Sequence, residues 1–277
     1  MSSLFASIEL AAQVEAAEVS LVSSSTEAGS QRRAGGNSYV QRIGSGVACY
    51  AAPNSPFNKV AGVGFGSSVS ESDLDQLEEA MGSRQVPVQF ELSTLADPEV
   101  GSMLTARGYR LVGFENVLGR ELKELKTDPT DIGIEPVEPA AMDAWIDMIV
   151  TGFEHPDGQG VASQESFPRE ALVRDIGDMA SIDQFRMFNA RLDGEVAGGG
   201  SMRLHDGVAL LCGAATLPDY RRRGVQTALL QSRLQLAAEA GCHLAAMTTQ
   251  PGSKSHQNAQ RQGFDLLYSR AVLIRSS

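Results

Sequence analysis

A repeat limits the fold of this chain more than any other feature. The segment R-G-Y-R-L-V-G-F-E-N-V-L-G-R (Arg107–Arg120) aligns without gaps to Q-G-F-D-L-L-Y-S-R-A-V-L-I-R (Gln262–Arg275), at an offset of 155 residues. The same offset lays Val88–Leu92 on His243–Met247. Identities are few, but the apolar pattern, a helix before each segment and strand-like runs within it all agree. A period this long describes a duplicated unit, and 277 residues suit two such units better than one core. The first copy is shorter at its front end. Lys126–Asp131, short, polar and proline-bearing, is the best linker. The expected domains are therefore residues 1–126 and 131–277.

Apolar periodicity supplies the elements. Residues from Ser3 to Val22 carry apolar positions at helical spacing and predict one helix, followed by a Ser/Gly-rich loop over Ser23–Asn37. Strands follow at Tyr39–Ile43, Val47–Ala51 and Val60–Phe65. Then come a helix at Glu71–Met81, a strand at Val86–Leu92, a helix at Pro98–Arg107 and a strand pair ending near Leu122. In the second copy a strand (Ile134–Val137) precedes two helices, Ala141–Gly152 and one opening at Ser166-Phe167-Pro168. Three strands at Phe185–Leu192, Val196–Leu204 and Val208–Leu217 are separated by Asp193-Gly194 and Asp206-Gly207, which are hairpin signals. A helix (Gly224–Ala240), a strand (His243–Thr248), a helix (Ser255–Arg261) and two final strands complete the chain. The fold class is α/β (α+β).

Composition excludes several kinds of function. A formal net charge of -11 opposes a nucleic-acid face or an anionic membrane partner. The N-terminus has no basic n-region and no run reaches about 18 apolar residues, so a cytoplasmic protein is expected. Cys49, Cys212 and Cys242 are scattered through apolar segments and read as buried thiols. With the four histidines they make no ligand spacing, and no metal is expected.

The stretch most charged with chemistry is L-P-D-Y-R-R-R-G-V-Q-T-A-L-L, Leu217–Leu230. Pro218 stops a strand because it cannot donate to a central ladder. Gly224 allows positive φ, or close approach of a ligand, just before a helix. Arginines beside a helix N-terminus are locally unfavourable unless an anion sits there. Main-chain N–H groups of such a loop and of the first helical turn make a cradle for one. Taken alone, R-R-R-G fits a solvated arginine turn equally well. The wider context, V-A-L-L-C-G-A-A-T-L-P-D-Y-R-R-R-G-V-Q-T-A-L-L, resembles the acetyl-CoA-binding motif of the GNAT superfamily of N-acetyltransferases. Leu217, Pro218, Arg221, Gly224 and Gln226 fall on that family's x-P-x-x-R/Q-x-x-G-x-G/A signature, and Gly263-Phe264 on its closing G-F.

The resemblance spans Ile134–Arg275 and implies tandem GNAT-like domains, each a mixed, mostly antiparallel sheet flanked by helices. It implies that backbone around Ala215, Thr216 and Leu217 pairs with the pantetheine arm. The loop Arg222, Arg223, Gly224, Val225, Gln226, Thr227 would hold the pyrophosphate of acetyl-CoA through N–H groups, with the Thr227 hydroxyl adding a bond. Ser255 and Asn258, at the next helix start, would contact the pantetheine, although Ser255 also suits an N-cap. Gln226 stands where the family has Gly or Ala, so its side chain is expected to point away from the phosphates. The first copy carries Glu71 and Asp73 where the second has arginines, which would repel a pyrophosphate. It is therefore expected to be a cofactor-free, degenerate copy.

Acetyl transfer needs a neutral amine, a stabilised oxyanion and a proton for the leaving thiolate. The family's glutamate on the fourth strand is absent from Val208–Leu217, and Ala259 occupies its tyrosine position. Substitutes are sought in Gly152–Gly160, where Glu154 and Asp157 could bind an amine and His155 could deprotonate it. An ordinary solvated loop is the alternative. Tyr268 could act as acid, or serve as a core tyrosine. The expected activity is transfer of acetyl from acetyl-CoA to a primary amine of a small-molecule or amino-acid-like acceptor by direct attack, in a monomer or homodimer. An acyl-CoA-binding module without turnover is the alternative.

Overall fold

Twelve strands form one continuous sheet rather than one sheet per half, in the order β1-β2-β3-β4-β12-β5-β11-β9-β8-β7-β6, with β10 joined to β8 alone. The computed structural model describes residues 4–33, 36–123, 125, 129–156, 160–161 and 166–276. The first half contributes α1 (Ile8–Arg32), β1 (Tyr39–Ile43), β2 (Gly46–Tyr50), β3 (Lys59–Ala61), α2 (Glu71–Gly82), β4 (Val88–Ser93), α3 (Pro98–Ala106) and β5 (Arg110–Glu121). The second contributes β6 (Gly133–Pro136), α4 (Met142–Glu154), α5 (Arg169–Ala180), β7 (Phe185–Leu192), β8 (Glu195–His205), β9 (Val208–Leu210) and β10 (Ala214–Thr216). It continues with α6 (Val225–Glu239), β11 (Leu244–Thr249), α7 (Lys254–Arg261) and β12 (Asp265–Arg275). Among the described residues β3/β4 and β9/β11 pair in parallel and the other strand pairs are antiparallel. Part of the expected linker, residues 126–128, lies outside the described residues.

The halves exchange their last strands. Copy one ends in β5, which pairs with β11 of copy two (Ala245 opposite Arg120), while β12 pairs with β4 of copy one (Leu273 opposite Phe90). β5 and β12 also pair with each other, and in that register Arg270 faces Glu115. These two positions are equivalent under the 155-residue offset, so a pseudo-two-fold axis passes between them, normal to the sheet. Each expected final strand pair is a single long strand, because β5 and β12 pair with each other along nearly their whole length while β11 or β4 covers only part of the other edge.

Period-two alternation assigns the faces. Leu118, Ala209 and Ala245 point towards α6 and α7, whereas Val117, Leu210 and Ala246 point towards α1. On the first face α2 and α3 cover Phe90 and Leu273. Helix α1 crosses the dyad on the second face and brings a charge cluster with it. Arg270, 1% exposed, donates through Nε to Glu15 at 2.8 Å and lies 3.7 Å from Glu91 and 3.8 Å from Glu115. Lys59 bridges Glu18 at 3.1 Å and Glu91 at 2.9 Å. Burial alone would push the Glu18 carboxyl up; Lys59 and Arg270 overcome it and hold the carboxyl down at about 2.

One expected loop is helical. α1 continues through Ser23–Arg32, ten residues past the expected end, because its Val22, Ser25, Thr26 and Gly29 face is buried; the hydroxyls of Ser23 and Thr26 meanwhile bond back to the carbonyls of Val19 and Val22. Such back-bonding lets Ser and Thr sit inside a helix. The helix end is then fixed to α5, where Arg32 and Arg33 both donate to the buried Asp178, at 3.1 and 2.7 Å. At the dyad, removing one partner of a buried ion network leaves the others uncompensated. Arg270→Met is predicted to cost about 3–5 kcal/mol, read by urea denaturation, with both halves unfolding in the same transition.

Candidate functional site

A gap in the sheet dominates the second half. β9 runs parallel to β11 as far as Leu210 opposite Ala246, and Leu211 N–H closes the pairing on the Ala246 carbonyl at 2.8 Å. The chain then leaves β11. β10 follows β8 only, with Ala214, Ala215 and Thr216 opposite Gly200, Gly199 and Gly198. Ser201 N–H donates to the Gly213 carbonyl at 3.0 Å, and Leu217 N–H donates to Ala197 at 3.0 Å. Antiparallel hydrogen bonding alternates along a strand, so the polar groups of Ala214 and Thr216 face the gap. Those of Ala215 and Leu217 face β8. The expected strand Val208–Leu217 is thus two short strands with a break between them.

Arg233 of α6 holds the break open. Its side chain lies inside the row Val225, Leu229, Arg233, Ala237 and is 2% exposed. It donates to the carbonyls of Leu229 at 3.1 Å, Ser201 at 2.9 Å and Cys212 at 3.2 Å. The last two bonds satisfy acceptors around the break. Burial pushes the guanidinium down to about 10. The guanidinium fits because β8 carries Gly198-Gly199-Gly200: a Cβ on Gly200 would lie 3.1 Å from Arg233 Cζ, and one on Gly198 only 2.5 Å from the Ala215 carbonyl.

Below the gap the chain makes a single 3-10 turn at Pro218–Tyr220 and enters α6 through two left-handed residues, Arg222 (φ 60°) and Gly224 (φ 86°). Among the described residues no side chain caps α6, and its first turn contains no acid. The N–H groups of Val225, Gln226 and Thr227 therefore lack a side-chain acceptor. The equivalent helix of the first half is closed by its own residues. Ser70 Oγ accepts from Asp73 N–H at 3.1 Å, and the Asp73 carboxylate accepts from Ser70 N–H at 3.0 Å. That capping box fills the position an anion would take.

The three arginines separate. Arg221 turns inward, donating to the Thr216 carbonyl at 3.3 Å and to the His155 carbonyl. Arg223 pairs with Asp193 of the β7–β8 turn at 2.6 Å and lies over the Tyr220 ring. Arg222 is exposed and has no partner among the described residues, which leaves it as the cation free to meet an anion at the helix start. Gln226 and Thr227 are half-buried in the first turn of α6. Asn258 is half-buried on α7 and Ser255 exposed. The cap of α7 is Ser253, whose Oγ accepts from His256 N–H at 3.1 Å, so Ser255 does not perform that service.

The proton-transfer candidates do not converge. His155 ends α4, exposed, with Nδ1 2.9 Å from the Thr151 carbonyl. Glu154 is held by Arg169 of α5. Asp157 lies outside the described residues. Tyr268 is 4% exposed, and its hydroxyl donates to Glu15 at 2.8 Å. It stands across from Val117, which is across from Thr248, so β5 separates it from β11. Burial and the Glu15 charge raise its pKa far above that of a free tyrosine. The expected acid is a core tyrosine, spent on the dyad cluster.

Other groups at the gap escaped the sequence reading. Burial, then the negative charge of Glu18, pushes the Cys212 thiol up to about 12. α1 of the first half thereby puts a carboxylate within electrostatic reach of the break. Between the halves lies a cavity of about 240 Å³, bounded by Pro56 and Phe57 of the first half, by α4 and α5, and by Ser201 and Gly213. Arg233 had a legible signal, a lone charge within an apolar helical row. The contribution of Phe57 had none, since it lies on a loop of the first half that meets α4 and α5 only in the folded chain.

Residues 144–264 match the acetyltransferase (GNAT) family. Those residues form a GNAT-family domain. Solved structures extend the likeness to the whole chain. A GCN5-related N-acetyltransferase from Kribbella flavida superposes with a TM-score of 0.65 at 16% identity, over 94% of this chain and 95% of that one. One from Sphaerobacter thermophilus gives 0.55 at 15%, over 95% and 93%. A tandem GNAT protein from the clavulanic acid biosynthesis pathway gives 0.61 at 12%, over 91% and 87%. What these share with the chain is a fold, two GNAT-like units in tandem. No curated protein sequence matches. Among the described residues no helix is long and apolar enough to cross a membrane.

If Arg233 props the break in this GNAT domain, Arg233→Met leaves the Ser201 and Cys212 carbonyls unpaired. At about 1–3 kcal/mol for each of the two buried unmet acceptors, the predicted loss is about 2–6 kcal/mol by urea denaturation.

Proposed function

We propose that the protein transfers an acetyl group from acetyl-CoA to the primary amine of a small-molecule acceptor, with the second half binding acetyl-CoA and the first binding none. One observation carries the reading: the gap beside β10 opens directly onto an uncapped helix start entered through left-handed Gly224. A strand edge with free polar groups suits an amide-bearing arm. An uncapped helix N-terminus suits a pyrophosphate. The residues present therefore fit acetyl-CoA, which supplies the acetyl group as a thioester.

The chain's own part is mainly to position. Ala214 and the N–H of Thr216 offer main-chain groups along the gap, the Thr216 carbonyl being held by Arg221, while Val225, Gln226, Thr227 and Arg222 offer positive potential below it. The amine nitrogen bonds to the acetyl carbon as the thioester C–S bond breaks, its proton passes to water and the CoA thiolate takes one from water, with His155 turned to the Thr151 carbonyl and Tyr268 committed to Glu15. That same shortage of proton-transfer groups favours the second reading, a module that binds acyl-CoA without turnover. A thiol-release assay with acetyl-CoA and a panel of amines separates the two; binding without thiol release on any amine supports the module.

Gly224→Val tests the cradle. A Cβ there would meet only Ile132, at 3.6 Å, so the penalty is backbone strain at φ 86° rather than a clash. The variant is expected to keep the circular dichroism of the parent and to bind acetyl-CoA at least about 100-fold more weakly by calorimetry, the loss expected when several N–H contacts are misaligned together. Unchanged affinity would remove the cradle from the site.

A further inference from the structure

The cavity between the halves identifies the kind of amine, given the acetyl transfer proposed above. We infer that the acceptor is a compact apolar primary amine, an arylalkylamine or a branched alkylamine of similar size, seated with its amine towards Gly213 and its apolar end towards Phe57.

Size and lining both lead there. The cavity measures about 240 Å³. A dry cavity of about 150 Å³ holds one benzene ring, so this one has room for a ring and a few further heavy atoms. Its walls are Phe57 from the first half, Trp145 and Phe153 from α4, and Ile176 and Met179 from α5. Trp145 turns its only polar atom away, because Nε1 donates to the Phe188 carbonyl at 3.0 Å. The indole therefore offers carbon to the cavity. Among the described residues the one charged side chain in the lining is Asp175, 1% exposed, and it is matched by Arg174, whose Nε and Nη2 lie 2.7 and 3.2 Å from its two oxygens. Arg174 Nη2 is also bonded to the Pro53 carbonyl at 3.2 Å, which ties the pair to the first half.

Such a lining discriminates by what it omits. A polyamine or amino sugar entering it would lose water from several ammonium or hydroxyl groups and find almost no partners. An apolar amine loses water from one end only, and that end sits at Gly213 and Ser201, where β10 begins and its free edge faces the gap. The first half, although it has no cradle of its own, thus sets the length of the acceptor through Phe57. Each methylene accommodated should raise kcat/KM about fourfold until the cavity is full.

Trp145 is the chain's single tryptophan, so its fluorescence reports the cavity independently of acetyl transfer. With the full-length protein, phenethylamine and isoamylamine are titrated against spermidine and glucosamine. Thiol release from acetyl-CoA is then measured with each. The expected result is a saturable Trp145 response and turnover with the two apolar amines, with kcat/KM at least about 100-fold above that for spermidine. Phe57→Ala should weaken phenethylamine binding and shift preference towards the larger tryptamine in the turnover assay. Turnover of spermidine or glucosamine in preference to the apolar amines overturns the inference and leaves acetyl transfer standing. A saturable Trp145 response to phenethylamine without acetyl-CoA binding by calorimetry keeps the cavity's ligand class and overturns acetyl transfer. No Trp145 response to either apolar amine overturns the assignment of the cavity.

Discussion

The strand exchange across the pseudo-two-fold is the constraint on which everything else rests. Each half gives its last strand to complete the sheet of the other, and β5 and β12 pair where Glu115 faces Arg270. Neither half can satisfy the edge of its parallel strand, β4 or β11, without the other chain segment, and an unpaired edge is costly or sticky. The charge cluster on α1 follows from the same geometry. Four carboxylates and two cations gather over the dyad because α1 crosses it, and Arg270 is reached from Glu15, Glu91 and Glu115 on three different elements. The exchange also fixes β11 from one side through β5, so its other side can be left open where β10 departs.

Duplication followed by divergence explains why the two helix starts differ. At one, Ser70 and Asp73 satisfy the first-turn N–H groups with their own side chains; at the other, Gly224 and Arg222 bend the backbone while α6 goes uncapped. A capped helix is the more stable by about 1 kcal/mol, so leaving α6 open is a cost that a bound anion would offset. The acidic first half has instead become wall and strut: α1 carries Glu18 towards Cys212, and the loop after β2 brings Phe57 to the cavity.

Much of this was legible in the sequence. The element list follows from periodicity and turn residues, and β1, α2, α3 and α6 fall within a residue or two of expectation. The repeat anticipates the symmetry, and Pro218 and Gly224 anticipate the turn and the left-handed entry into α6. What failed did so for physical reasons. Ser23–Arg32 reads as loop by composition, yet burial of Ser25, Thr26 and Gly29 and the Asp178 pairs keep it helical. Thr216 and Ala214 could not be told apart from Ala215 until the register was known. Tyr268 looked available because nothing local in the sequence reveals Glu15, more than two hundred residues away in the chain, as its partner. The exchange of strands is a long-range pairing that no local pattern encodes.

The central claim is that one half binds acetyl-CoA and the other, built on the same plan, does not. Amide hydrogen exchange read by mass spectrometry, with and without acetyl-CoA, tests it most directly. Peptides covering 211–227 should gain protection at the amides of β10 and the first turn of α6, while those covering 60–75 exchange unchanged. Protection of 60–75, or none at 211–227 with acetyl-CoA in saturating excess, would contradict the account.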